Sequence, residues 1–123
     1  MILIDTSVWV DHFRKGNSRF KSLLAEGIVL CHPIVMGELA CGNLRNRKEV
    51  LNLLAALPQA QEARHDEVLG MIEGWRLMSR GIGYADMQLL ASALLNRCPY
   101  WTLDRRVAAA ADTLNVGYEP ETV

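Results

Sequence analysis

The chain has 123 residues, half of them apolar, and a formal charge of -1 from 13 basic and 14 acidic side chains. That length suits one domain spanning residues 1–123 and leaves no room for two, and the apolar share excludes a disordered or collagen-like chain. A balanced charge gives no basic field over the whole molecule, so any nucleic-acid contact has to come from local clusters.

Residues 2–4, Ile-Leu-Ile, read as a short apolar strand that ends at Asp5. This run is too short for a signal peptide and lacks a basic flank. No stretch reaches the roughly 20 apolar residues that cross a bilayer, so a soluble, cytoplasmic protein without a membrane partner is expected. A helix is expected from about Ser7, with Trp9 and Phe13 on one face, and a second over about 19–26, stopped by Gly27. Residues 28–31 read as a buried strand. Pro33 suits a helix start, and that helix is expected to run to about Gly42, followed by a basic loop over 43–48. Further helices are expected over about 49–57, ending at Pro58, and over 66–80, with Val68, Ile72 and Trp75 on one side. Gly81 and Gly83 mark the end of the latter.

The clearest helix follows, with Met87, Leu90, Ala91, Leu94 and Leu95 forming an apolar stripe. Residues 100–103 read as a strand, Val107, Ala111 and Leu114 mark a last helix, and residues 116–118 suit a short edge strand. Apolar strands alternating with amphipathic helices define an α/β domain with a parallel sheet.

The three cysteines, Cys31, Cys41 and Cys98, have neither an even count nor ligand spacing, so buried reduced thiols are expected and a disulfide frame or zinc site is not. His12, His32 and His65 show no ligand or base pattern and are read as structural. Trp9, Trp75 and Trp101 fall on apolar faces and are read as core or dimer packing.

Four acids lie at element ends. Asp5 follows the first strand and Asp104 a late one, at the edge where open parallel sheets bind ligands. Each is equally placed to cap the helix after it. Strand alternation puts Thr102 on the side of Asp104. Asp86 sits in the first turn of the best-patterned helix, where the helix dipole favours an acid. Glu38, flanked at helical spacing by Ile34, Val35 and Cys41, projects either from an inward face or from its rim. Gathered at one edge, these acids repel: two unit charges at ~4 Å cost about 4 kcal/mol at an effective dielectric near 20. A divalent cation removes that cost, and oxygen-only ligands suit Mg²⁺ or Mn²⁺. The natural chemistry is phosphodiester hydrolysis.

The opening Met1-Ile2-Leu3-Ile4-Asp5-Thr6-Ser7-Val8-Trp9 resembles that of PIN-domain toxins of the VapC type. Glu38 in Val35-Met36-Gly37-Glu38-Leu39 resembles the family's second acid, Asp86 in Gly83-Tyr84-Ala85-Asp86-Met87 its third, and Thr102-Leu103-Asp104 its late Thr-x-Asp. The resemblance covers essentially the whole chain. It implies a PIN-like three-layer fold, with a mostly parallel sheet of four or five short strands and about seven helices. It also implies a magnesium-dependent endoribonuclease, the toxin of a toxin–antitoxin pair. Asp5 and Asp86 would touch Mg²⁺ (or Mn²⁺), Glu38 and Asp104 would complete the catalytic acids, and Ser7 and Thr102 would support them. A small antitoxin, homodimerisation, and contact with operator DNA only through the antitoxin belong to the same implication.

Arg45, Arg47 and Lys48 in one loop, with Arg105 and Arg106 after Asp104, are candidates to hold RNA phosphates, or are ordinary solvated charge. The leucine-rich stretch over 50–57 suits either an antitoxin groove or the core. Two rival readings remain: an aspartate-nucleophile phosphatase, which would resemble a DxD after the first strand where this chain has Asp5-Thr6-Ser7, and a non-catalytic α/β binding module whose acids are only caps.

Overall fold

The computed structural model describes residues 1–120; residues 121–123, the end of the expected domain, lie outside the described residues. In chain order the elements are β1 (Ile2–Ile4), α1 (Thr6–Lys15), α2 (Ser18–Ala25), β2 (Val29–Leu30) and α3 (Pro33–Ala40). Then come α4 (Arg47–Ala56), α5 (His65–Trp75), α6 (Tyr84–Asn96), β3 (Tyr100–Trp101) and α7 (Arg105–Thr113).

The sheet has the order β2-β1-β3, with both pairings parallel. Leu3 faces Leu30 on one side and Tyr100 on the other. Every residue of the three strands is buried, so neither sheet face meets water and helices cover both, as a parallel sheet requires. The four or five strands expected reduce to three among the described residues. Two edge segments make up the difference as single bridges, Cys31 to Gln59 and Tyr100 to Gly117. The second is the expected edge strand over 116–118. It holds Tyr100 by two backbone bonds, to Val116 and from Tyr118, too brief a pairing to count as a strand.

The chain leaves β1 to reach β2 on one side and returns to β3 on the other, so the order reverses at β1. A crevice opens there between the carboxyl ends of β1 and β3. Helices α1 and α7 both start at that edge.

The long helix expected over 66–80 ends instead at Trp75. Arg76 takes a left-handed conformation with φ 54°, Leu77 N–H bonds back to Ile72 O at 3.0 Å, and the Leu77 side chain is fully buried. A buried residue two places past the last turn fixes the stop without a glycine there. Trp75, expected to pack, is left exposed, while Trp9 and Trp101 are core residues. Arg47 and Lys48, expected in a loop, belong to the first turn of α4, and Cys41, expected to be buried, is exposed.

The start of α3 is tied to α6 by a buried polar clasp. His32 caps α3, its Nδ1 accepting from Ile34 N–H at 2.9 Å. That bond makes Nε2 the protonated nitrogen, which donates to Ser92 Oγ at 2.9 Å. Ser92 in turn donates to Gln88 at 2.6 Å and accepts from Ala63 N–H at 3.1 Å. Burial, opposed by the charge of Glu62, lowers the His32 pKa from its ordinary 6.5. Below 6.5 the unfolded chain therefore binds more protons than the folded one, and stability falls as pH drops. We expect the urea midpoint to fall between pH 7.5 and pH 5.5, and less so in His32→Asn, which keeps a capping acceptor.

Candidate active site

Asp5 is fixed at both of its ends. Its N–H donates to Trp101 O at 2.9 Å, continuing the β1–β3 ladder one residue past the strand. Its side chain caps α1, and Oδ2 takes three donors: Ser7 Oγ at 2.6 Å, Thr102 Oγ1 at 2.9 Å and Ser7 N–H at 3.3 Å. The residue is 6% exposed, so these bonds are well shielded. Oδ1 receives no donor among the described residues and is left with its acceptor capacity unused.

The same hydroxyls reach the other strand end. Ser7 Oγ accepts from Leu103 N–H at 3.0 Å, and Thr102 Oγ1 accepts from Asp104 N–H at 3.1 Å. The alternation that placed Thr102 beside the acids was right in kind, and its hydroxyl serves Asp5 and the backbone of Asp104 together. Asp104 itself is exposed and caps α7, with Oδ1 accepting from Arg106 N–H at 2.9 Å and Val107 N–H at 3.2 Å. For Asp5 and Asp104 the capping alternative holds, since each caps the helix that follows it, and a cap at the sheet edge leaves a second carboxylate oxygen for other partners.

Asp86 enters from the first turn of α6, next to the backbone of Gly83. Its carboxyl is pushed above its ordinary pKa of 3.8, first by burial and then by the charges of Asp5, Glu38 and Asp104. All four acids thus share one field. Glu38 does so from the exposed rim of α3 rather than the inward face, and its Oε1 accepts from Thr6 Oγ1 at 2.7 Å. Thr6, which sequence reasoning passed over, carries α1's contact to Glu38. Its position directly after Asp5 was the available signal.

Among the described residues, no three His, Cys, Asp or Glu side chains close into a cage for a metal ion. The four acids act on one another at the sheet edge without closing such a cage. That geometry, with an all-oxygen donor set, fits a hard cation that keeps part of its water and takes one or two carboxylates directly.

The basic candidates fare unequally. Arg45, Lys48, Arg105 and Arg106 are exposed, and among the described residues their side chains make no hydrogen bond or ion pair. The Arg47 guanidinium bonds to the carbonyls of Ala40 and Gly42, closing the end of α3. Arg106 lies over Gly81, where a Cβ would stand 2.5 Å from its Nη1 and push the guanidinium aside, and where φ of +74° strains any other residue. Beside Glu38 a groove of about 290 Å³ runs past Val10, Phe13, Arg14 and Leu44. It leads toward a second depression lined by Arg14 and Arg45, which makes Arg14 a basic residue the sequence reading missed.

A parallel sheet whose order reverses beside a crevice of four acids defines a class, and the sequence places the chain within it. The PIN domain profile matches residues 2–113, and the chain belongs to that family. Its relatives include Ribonuclease VapC32 of Mycobacterium tuberculosis, in strains CDC 1551 / Oshkosh and ATCC 25618 / H37Rv. Each is 43% identical over 122 residues, covering 98% of either chain. Among solved structures, the crystal structure of FitAcB from Neisseria gonorrhoeae aligns with a TM-score of 0.66 and 25% identity, over 91% of this chain and 94% of that one.

Proposed function

We propose that this chain is a magnesium- or manganese-dependent endoribonuclease, the toxin of a toxin–antitoxin pair. The observation that carries the reading is the raised Asp86 carboxyl. Its causes include the three other acids, so the fold holds like charges together at the sheet's ligand-binding edge. Such an arrangement costs stability unless a cation joins it. Kinship with a named ribonuclease over nearly the whole chain supplies the substrate class.

In this reading Asp5 Oδ1 and Asp86 hold the cation, and Glu38 and the uncapped oxygen of Asp104 complete the acidic wall. The cation, when bound, activates water and offsets charge on the phosphoryl group. Ser7 and Thr102 hold Asp5 in one orientation, and Thr6 steadies Glu38. Arg45, Lys48, Arg105 and Arg106 draw the RNA backbone toward acids that would otherwise repel it, while Arg47 acts chiefly on the fold. A cognate small antitoxin silences the toxin, which works in the cytoplasm as a homodimer and meets operator DNA only through that antitoxin.

Purified protein free of antitoxin is expected to cleave structured RNA with Mg²⁺ or Mn²⁺ and to stop when EDTA is added. Cleavage that survives EDTA would remove the cation from the mechanism. A melting temperature indifferent to Mn²⁺, together with no cleavage, would favour a non-catalytic binding module.

A further inference from the structure

Tyr100 shares a sheet face with Asp5, and its hydroxyl has no counterpart in the sequence reading. Register pairs Tyr100 with Leu3 and Trp101 with Ile4, and alternation therefore puts Tyr100 on the face that carries Thr102 and Asp5. Tyr100 is 1% exposed, and among the described residues its hydroxyl has no hydrogen-bond partner within normal distance. Leaving a buried donor unmade costs roughly 1–3 kcal/mol, and phenylalanine would fill the same space without that cost. Asp5 acts on the hydroxyl more strongly than Asp86 or Glu38 does.

We propose that Tyr100 is a positioning residue for Asp5, its hydroxyl closing onto the Asp5 carboxylate when a divalent cation is held in the crevice. The inference rests on the cation reading given above. Its physical basis is that Oδ2 is already held by Ser7 and Thr102, and a carboxylate drawn toward a cation needs a donor that moves with it. An arginine or lysine there would supply a donor and also a positive charge, competing with the cation for Asp5. A phenol supplies the donor alone. Burial, reinforced by the negative charge of Asp5, pushes its pKa well above the usual tyrosine value, so the donor keeps its proton.

The test is Tyr100→Phe, measured by Mn²⁺ binding to the metal-free protein and by its melting temperature without metal. Hydrogen bonds that orient a metal's ligands commonly contribute 10–100-fold in affinity, so Mn²⁺ is expected to bind roughly 10-fold more weakly. The melting temperature without metal should stay level or rise, because an unpartnered polar group has been removed. A purely structural tyrosine predicts the opposite pattern: unchanged Mn²⁺ affinity, or a lower melting temperature in the metal-free state. Either overturns the assignment. Wild-type protein and Asp5→Asn are titrated alongside. If wild type takes up no Mn²⁺, the cation reading fails and Tyr100's role with it; if wild type binds and Tyr100→Phe binds equally, the tyrosine proposal alone is overturned.

Discussion

Asp86→Asn is expected to abolish RNA cleavage while leaving the metal-free protein at least as stable as the parent. The two effects have one cause. Asp86 is pushed above its ordinary 3.8 by burial and by Asp5, Glu38 and Asp104, so its ionised form is disfavoured in the folded state. Between 3.8 and the raised value the folded chain binds more protons than the unfolded one, so stability declines as pH rises through that window. At neutral pH the ionised side chain therefore works against the fold. An amide of the same shape removes the repulsion and also the cation's oxygen. Losing a direct ligand should exceed the 10–100-fold loss that follows removal of a supporting hydrogen bond, so cleavage should fall by more than about 100-fold. Melting curves with and without Mn²⁺ complete the test: the wild type should gain stability from the ion and the variant should not. Parent-level cleavage by Asp86→Asn would remove Asp86 from the site.

Asp5 should behave differently, because its carboxylate also supports the fold. Asp5→Ala leaves two hydroxyls and the Ser7 N–H without their acceptor and strips the cap from α1. The expected loss is roughly 2–4 kcal/mol, or on the order of 10 °C in melting temperature for a domain of this size. Asp5→Asn separates the two roles. Its amide oxygen can still accept from Ser7 and Thr102, so the fold should hold, while its NH₂ turns a donor toward the place where a cation needs an acceptor. Cleavage should vanish in both variants, and only the alanine protein should melt early. Equal melting of the two would mean that the bonds to Oδ2 contribute little.

Much of this was legible in the sequence because strand–Asp–helix is a local pattern. Asp5 and Asp104 each follow an apolar run and precede a helix, which fixes both their place at the sheet edge and their caps. Thr102 was legible through the two-residue period of a strand. Glu38 was harder. Its apolar neighbours suggested an inward face, yet α3 turns it to the rim, where it meets the site through Thr6. Whether a flank position faces core or water depends on how the neighbouring helices pack, which no single helix's pattern contains. The end of α5 was missed for a similar reason. The glycines at 81 and 83 look like a stop, but the burial of Leu77 turns the chain earlier. The strand count was overstated because the segments near Gln59 and Gly117 each make only one bridge. Tyr100 gave no signal, since a tyrosine in an apolar strand looks like any core aromatic until its hydroxyl is found without a partner.

The bond that binds Thr102 to Asp5 spans 97 residues of chain. A chain growing on the ribosome thus carries Asp5 long before it possesses β3, and Asp5 stays apart from Thr102 and Asp104 until those later segments have emerged. Closing so distant a contact is a late and slow event in folding. A site wired this way has a built-in delay, because its acids cannot meet before the segment that carries Thr102 and Asp104 has been made.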